Sequence, residues 1–443
     1  MSFPRYLKYK ASGVEWLGEV PEHWEVKRIK DAASHNDDVL DETTPSDASF
    51  AYVDISGVEA GRGIVTTERV TFGTAPSRAR RLVRDGDVIV STVRTYLRAV
   101  ARVQQPPRDL LVSTGFAVLR PRDGLDPEFL GFAAESSLFV DEVIARSTGV
   151  SYPAINASEL VRVPLLLPPL AEQRAIAAFL DRETKKIDEL VAEQERLIEL
   201  LKEKRQAVIS HAVTKGLDPA APMKPSGVEW LGDVPAHWNV VPCRAIVNER
   251  NTRNDSGECV DYLSLMANIG IIPYEEKGDV GNKKPEDLTK CKLVRRGDFV
   301  INSMNYGIGS YGVSGLNGVC SPVYIVLTPI REVVEPRFAF RIFEDRAFQR
   351  YAQSFGNGIL AHRCAIGWDT LKSISVPLPP RAEQFQILAL LDSQASMFAA
   401  LTAEAEDAIR LLRERRSALI SAAVTGQIDV RNAVPSANPT EAA

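Results

Sequence analysis

Cysteine is scarce in this 443-residue chain and poorly placed for cross-linking. Its five residues (Cys243, Cys259, Cys291, Cys320, Cys364) all fall in the second half, without a C-x-x-C pair. That pattern excludes a disulfide framework or a zinc ribbon and makes reduced intracellular thiols the default. Long apolar runs are missing too: the most apolar stretch, 163–171, holds three prolines and is far shorter than a bilayer span. Residues 1–10 carry Arg5, Lys8 and Lys10 without an apolar core, unlike a secretory signal. A cytoplasmic protein without membrane contact is therefore expected.

Catalytic signatures are equally absent. The sequence has no G-x-x-x-x-G-K-[ST], no H-E-x-x-H and no Asn/Asp-Pro-Pro-Tyr of the amino-methyltransferases. Its five histidines (His23, His35, His211, His237, His362) show no ligand spacing. Charge of one sign is not in large excess, since 53 Lys plus Arg face 58 Asp plus Glu. A histone-like polycation is excluded, but a local basic face is not. Hydrophobic residues at 45% and charged residues at 25% are ordinary for a globular protein, with side chain enough for more than one core.

What the chain does have is a copy of itself. SGVEWLG at 12–18 returns at 226–232, and VPEHW at 20–24 returns as VPAHW at 234–238. LPPLAEQ at 167–173 returns as LPPRAEQ at 378–384, and RDGDVI at 84–89 meets RRGDFV at 295–300. A period of about 210 residues is too long for a solenoid and points to a duplicated domain with its helix. Between these shared blocks the stretches 25–165 and 239–376 align poorly, so one frame carries two different inserts.

After each Pro-Pro, apolar residues recur at three and four spacing. They are Ile176, Leu180, Ile187, Leu190, Leu197, Leu201, Val208 and Ala212, then Ile387, Leu391, Phe398, Leu401, Ala405, Ala408, Leu412, Leu419 and Ala423. The pattern predicts two long helices with coiled-coil seams, broken by Gln194 and Lys204 in one and by Gln394 and Arg415 in the other. Gly216 and Gly426 would stop them. Roughly 40 residues at about 1.5 Å each make a rod on the order of 60 Å, and the second helix is a partner of matching length. The inserts read as mixed α/β, with strands near 51–55, 87–92, 116–119, 299–302 and 323–327 and single amphipathic helices over 129–145 and 337–353.

Two apparent sites dissolve on inspection. Residues 307–312 satisfy G-x-G-x-x-G, but the glycine-rich continuation cannot sustain the helix that would hold a pyrophosphate. Asp261 with Glu275, Glu276 and Lys277 imitates a metal-nuclease pattern at permissive spacing, and the first copy lacks it. The positive chemistry is basic. Arg62, Arg69, Arg78, Arg80, Arg81, Arg84, Arg94, Arg98 and Arg102 crowd one stretch, and arginine suits bidentate contact with phosphate or guanine. Ser91, Thr92 and Tyr96 lie among them. The second copy offers Lys283, Lys284, Lys290, Lys292, Arg295 and Arg296, with Asn302, Ser303, Asn305, Tyr306 and Arg363. The candidate DNA-contacting set is Arg62, Arg78, Arg80, Arg81, Ser91, Thr92, Arg94, Tyr96, Arg98, Lys283, Lys284, Ser303, Asn305, Tyr306 and Arg363. Solvated surface is the plain alternative for each cluster. Trp16, Trp24, Trp230 and Trp238 repeat within the shared frame and read as packing anchors rather than base-stacking platforms.

The ordered duplication of W-L-G-x-V-P-x-H-W, P-P-x-x-E-Q and a heptad helix resembles the specificity subunit of type I restriction–modification systems. The resemblance spans essentially the whole chain apart from its tail, with the first proline block stretched to VPLLLPP at 163–169. It implies an α+β/mixed fold with two α/β target recognition domains, at 1–167 and 217–378, and helices at 168–216 and 379–427 forming an antiparallel coiled coil. A disordered tail, 428–443, would follow. It also implies a non-catalytic subunit that binds double-stranded DNA, each domain reading half of a bipartite, asymmetric target. Methyltransferase subunits would dock on the helices, and restriction/translocase subunits would join them. No cofactor is expected in this chain, with S-adenosylmethionine, ATP and Mg on the partners. A coiled-coil adaptor that never touches DNA, or an enzyme with an unrecognised site, are the rival readings.

Overall fold

Neither Pro nor Gly interrupts 170–215 or 381–424, and both stretches fold as unbroken helices, Leu170–Lys215 of 46 residues and Arg381–Val424 of 44. Each carries a glutamate in its first turn, Glu172 or Glu383, where the helix dipole favours a negative charge. Each is followed by a glycine in the left-handed region, Gly216 at φ +77° and Gly426 at φ +73°. The second helix is long and apolar enough to cross a membrane by length and composition alone.

This computed structural model describes residues 3–280, 283–356 and 365–433. The chain divides into two compact units, Met1–Glu195 with Glu406–Ala443, and Arg196–Ala405. Both divisions fall inside a long helix.

In the first unit an antiparallel four-stranded sheet runs in the order Val100–Arg102, Val88–Ser91, Phe116–Pro121, Ala33–His35. A second sheet runs Glu68–Thr71, Ser49–Val53, Leu110–Ser113, Ala79–Leu82, with one parallel pair aligning Leu110 with Ala51. The main core joins the first sheet to Trp24, Phe129, Phe132, to Ile176 and Leu180 from the start of the first long helix, and to Ile420 and Val424 from the end of the second. In the second unit the sheet order Tyr311–Val313, Phe299–Asn302, Tyr324–Pro329, Val247–Glu249 has the same antiparallel pattern. Its core gathers Trp238, Phe338, Phe343 and Phe348 with Ile209 and Val213 from the first long helix and Ile387 and Leu391 from the second.

The repeated R-x-G-D turn is structural in both units. Asp87 is buried and accepts two hydrogen bonds from the Arg120 guanidinium and one from the Arg84 N–H. Asp298 repeats this with Arg250 and the Arg295 N–H. Such fully bonded carboxylates hold a turn in one geometry.

Three local expectations change. The single helices expected over 129–145 and 337–353 are each two helices, Pro127–Glu135 with Ser137–Ala145 and Pro336–Glu344 with Arg346–Ser354. The break comes where Ser136 and Asp345 turn extended and cap the next helix, their side chains accepting from the N–H of Phe139 and Phe348. On the long helices Leu190, Leu197 and Leu401 are exposed, as are Lys204 and Arg415, while Val191 and Ile209 are buried. The buried face drifts off a strict heptad because a straight helix has 3.6 residues per turn. Of the expected tail, residues 428–433 pack on the first unit: Val430 is buried, the Asp429 N–H donates to the Pro4 carbonyl, and Arg431 forks onto Asp429. Residues 434–443 lie outside the described residues.

A Cβ added at Gly426 would sit 2.4 Å from Pro21 Cδ, whereas one at Gly124, also left-handed at φ +91°, would meet nothing within 4 Å. Gly124→Ala should therefore cost about 1 kcal/mol from backbone strain alone. Gly426→Ala should add about 1–3 kcal/mol of overlap. Paired urea melts of the two variants measure the difference, and equal midpoints would contradict the steric account.

Candidate nucleic-acid interface

The shared frame explains itself through one glutamate in each unit. Glu172 accepts from the Trp24 indole N–H at 3.0 Å, from the Tyr6 hydroxyl at 2.6 Å and lies 2.7 Å from His23 Nε2. Burial, together with the carboxylate it donates to, pushes the Tyr6 hydroxyl pKa well up. Glu383 repeats the arrangement with Trp238 at 3.0 Å and His237 at 2.8 Å. The neighbouring glutamines tie down the loop before the first domain helix. Gln173 accepts from the Asp126 N–H and donates to the Gly124 and Pro168 carbonyls, and Gln384 accepts from the Glu335 N–H and donates to that of Pro379. Trp24 and Trp238 are fully buried, so neither presents a face to a base.

On this frame the structure sorts the arginine cluster into two groups. Arg62 pairs with Glu59 and Glu195, Arg69 with Asp109, Arg84 with Asp38, Arg98 with Asp141, and Arg102 with Glu128 and Glu135. Arg78, Arg80, Arg81 and Arg94 have no carboxylate partner among the described residues. Arg80 and Arg81 lie on Ala79–Leu82, the last strand of its sheet, where successive side chains take opposite faces. The Arg80 guanidinium stacks over Phe72 at 4.7 Å, and Arg81 has a buried Nε without a hydrogen-bond partner, its pKa lowered by desolvation.

Arg94 and Arg98 flank the turn Thr95–Leu97 and both adopt left-handed backbone, at φ +51° and +55°. For a non-glycine residue this conformation costs roughly 1–2 kcal/mol, so something must hold it. The Arg94 N–H donates to the Pro153 carbonyl, Val93 bridges Ala154, and the Thr95 hydroxyl meets that of Ser147 at 2.8 Å. The Arg94 guanidinium lies 5.0 Å above the Tyr152 ring. Two loops thereby form one tip that exposes Arg94, Tyr96, Leu97, Val150 and Tyr152. The sequence reading found Arg94 and Tyr96 but missed Val150 and Tyr152, whose only local signal is a glycine before and a proline after them.

Other candidate residues are turned inward. Ser91 and Thr92 are buried, their hydroxyls donating to the Val93 and Gly115 carbonyls. Ser303 is buried and donates to the Val323 carbonyl. Tyr306 is wholly buried and donates to the Phe343 carbonyl, its pKa driven well up by burial. These four are core residues, a correction to their selection as surface groups. Arg62 faces Glu195 of the first long helix and Arg98 is held by Asp141. Lys283 and Lys284 are exposed and Asn305 is half-buried, whereas Arg363 lies outside the described residues. Residues 306–313 form a short turn, Tyr306–Ile308, and then a strand, Tyr311–Val313, with no helix to complete a pyrophosphate site. The Lys277 ammonium donates to the Val280 carbonyl and sits over Tyr274, committed to its own turn.

Residues 21–200 match the family described as type I restriction modification DNA specificity domain. The chain is 24% identical to a protein assigned as the type I restriction enzyme MjaX specificity subunit of Methanocaldococcus jannaschii, over 94% of this chain and 96% of that protein. It is 23% identical to the EcoKI specificity subunit of Escherichia coli strain K12, over 70% of this chain and 68% of that protein. A solved chain from a study of complex assembly and conformational transition in a type I restriction–modification system superposes with a TM-score of 0.63. It covers 91% of this chain and 98% of that one at 24% identity, a likeness of fold.

Removing the shared acceptor should unfold the first unit selectively. Glu172→Ala strands the Trp24 and Tyr6 donors, each worth roughly 1–3 kcal/mol when left unpaired. Chemical denaturation followed by tryptophan fluorescence should show one destabilised transition, and an unchanged midpoint would refute the anchoring role.

Proposed function

We propose, for a chain whose residues 21–200 match the type I restriction modification DNA specificity domain, that it is the non-catalytic DNA-reading subunit of a cytoplasmic restriction–modification complex. Two target recognition domains, 1–167 and 217–378, each read one half of a bipartite, asymmetric duplex sequence. The helices over 168–216 and 379–427 pair as an antiparallel coiled coil that docks methyltransferase subunits and sets the unread spacer. Restriction/translocase subunits join the larger assembly. S-adenosylmethionine, ATP and Mg belong to those partners, and this chain holds no cofactor.

The observation that carries the reading is one sheet order and one glutamate anchor repeated in two units whose inserts differ. A repeated frame suits two half-sites about one helical turn apart, and different inserts suit different half-sites. Within the first insert the arginines without carboxylate partners, Arg78, Arg80, Arg81 and Arg94, are the ones free to meet phosphate or base edges. Their mildly acidic host chain is no obstacle, because attraction to DNA depends on patches.

Co-expression with the cognate methyltransferase subunit in unmethylated cells, followed by sequencing for modified adenine, tests this. A split, asymmetric motif that vanishes without this chain is expected, and exchanging residues 25–165 should change one half only. Replacing Arg78, Arg80, Arg81 and Arg94 together by Ala should weaken DNA binding by at least about tenfold and flatten its salt dependence. Unchanged affinity in that variant, or a stable complex that modifies nothing, would leave the adaptor reading instead.

A further inference from the structure

This inference rests on the proposed function. In each unit a further carboxylate, besides Glu172 or Glu383, connects the globular part to a long helix. Glu135 ends the helix Pro127–Glu135, and its side chain is 9% exposed. Arg102 Nε lies 3.4 Å from one oxygen, and Arg416 Nη1 of the second long helix lies 3.5 Å from the other. Arg416 Nε also bonds Asp188 of the first long helix at 3.0 Å. A domain helix, a domain strand and both long helices therefore meet in one ionic chain within the first unit. Gly131 makes room for it: a Cβ there would lie 2.2 Å from the Arg102 stem. The Arg102 guanidinium then covers Phe132 at 4.1 Å and bonds Glu128 at 2.7 Å. Burial raises the Glu135 pKa, and Arg102 and Arg416 pull it back.

The second unit also places a carboxylate between a domain arginine and a long-helix arginine, by another route and with the long-helix arginine about half exposed. Glu344 ends the helix Pro336–Glu344 with its side chain 8% exposed, bonded by Arg341 at 2.5 Å and approached by Arg205 of the first long helix at 3.5 Å. Arg205 and Arg416 hold matching places in the repeated stretches 205–210 and 416–421. The domain arginine differs: Arg102 comes from a strand, whereas Arg341 stands in its own helix where the first unit has Phe132. Matching outcomes from unlike residues point to a requirement on the charges themselves.

Buried ion pairs add little net stability, because desolvation offsets attraction, but they can specify one arrangement. Apolar side chains such as Val140 and Ile420 allow a helix to slip at small cost, whereas a carboxylate between two guanidiniums has one favourable register. A slip of half a helical turn is about 2.7 Å, close to the roughly 3.4 Å rise of one base pair. We infer that Glu135 and Glu344 are positioning residues that fix the register of each recognition domain on the long helix other than the one its Glu-Gln pair already holds, through Arg416 for the first domain and Arg205 for the second, and through it the spacer length the protein accepts. The two locks differ in the freedom around them. Beside Glu135 and Arg416 lies a cleft of about 1250 Å³, while the space beside Arg205 and Arg341 is about 10 Å³. The first domain has room to shift once released.

The test uses full-length chain co-expressed with its methyltransferase subunit, with modified adenines mapped by sequencing. Glu135→Gln keeps the shape and removes the charge, and Arg416→Lys keeps the charge but cannot span Glu135 and Asp188 together. Both should retain the wild-type half-site bases yet modify sites with one base pair more or less spacer at least tenfold above the wild-type background. Glu344→Gln should relax the spacer less. Size-exclusion chromatography reports whether the complex forms. Modification confined to the wild-type spacer, or a uniform loss at every spacing with the complex intact, overturns the assignment. Failure of both Glu135→Gln and Arg416→Lys to assemble overturns it too, since the pair would then be a folding requirement. A wild-type chain that yields no split motif refutes the DNA-reading function itself, and the wild-type lane separates that failure from the failure of the lock.

Discussion

The structure depends on a buried carboxylate placed in the first turn of a long helix. Buried Glu172 would be costly to desolvate alone, since a charge without partners in the interior is strongly unfavourable, and Glu383, its side chain 20% exposed, holds the matching place in the second unit. Each is satisfied by an indole N–H and an imidazole from the same short motif some 150 residues earlier in the chain. The glutamine beside it bonds the loop ahead of the next domain helix. One Glu-Gln pair thus fixes where the helix begins, where the N-terminal motif closes, and where the insert rejoins the frame. The proline pair before it sets the helix start and leaves the carboxylate no other turn to occupy.

That constraint explains what could be read from the sequence. The duplicated blocks, both long helices and the central strands were legible, since the W-motif returns 214 residues on and the Pro-Pro block with its helix 211 residues on, a period only a duplicated frame keeps. The 299–302 strand appears as expected, Phe299–Asn302. The helix breaks were not legible, because Ser136 and Asp345 look like any polar position until their side chains are seen capping the next helix. Nor was the inward turn of Ser91, Thr92, Ser303 and Tyr306. Hydroxyls near a basic cluster resemble ligand contacts, and only tertiary structure reveals the backbone carbonyls that consume them.

Charge shows the same division. Composition gives a cluster of arginines, but composition cannot say which have carboxylates waiting. Five of the nine between residues 62 and 102 are spent on ion pairs, and for exposed pairs such as Arg62 with Glu59 those contribute little to stability. Their effect is subtraction. They remove charge from the surface and, of these nine, leave Arg78, Arg80, Arg81 and Arg94 without a carboxylate partner among the described residues. The left-handed backbone at Arg94, held by Pro153 and stacked on Tyr152, adds a reason to single that residue out: strain of this kind persists only where surrounding contacts enforce it.

The two units also show how a frame can stay fixed while its contents change. The glutamate anchors, the R-x-G-D turns and the helix caps are satisfied by groups inside the frame or immediately beside it, so they place few demands on the rest of the insert. Where an insert must connect with a long helix, the demand is for a charge in a position rather than for a particular residue, and Arg102 and Arg341 meet it from different elements. Different recognition surfaces can then be carried on one scaffold without rebuilding it. The specified contacts are thereby concentrated at the few points where insert and helix meet.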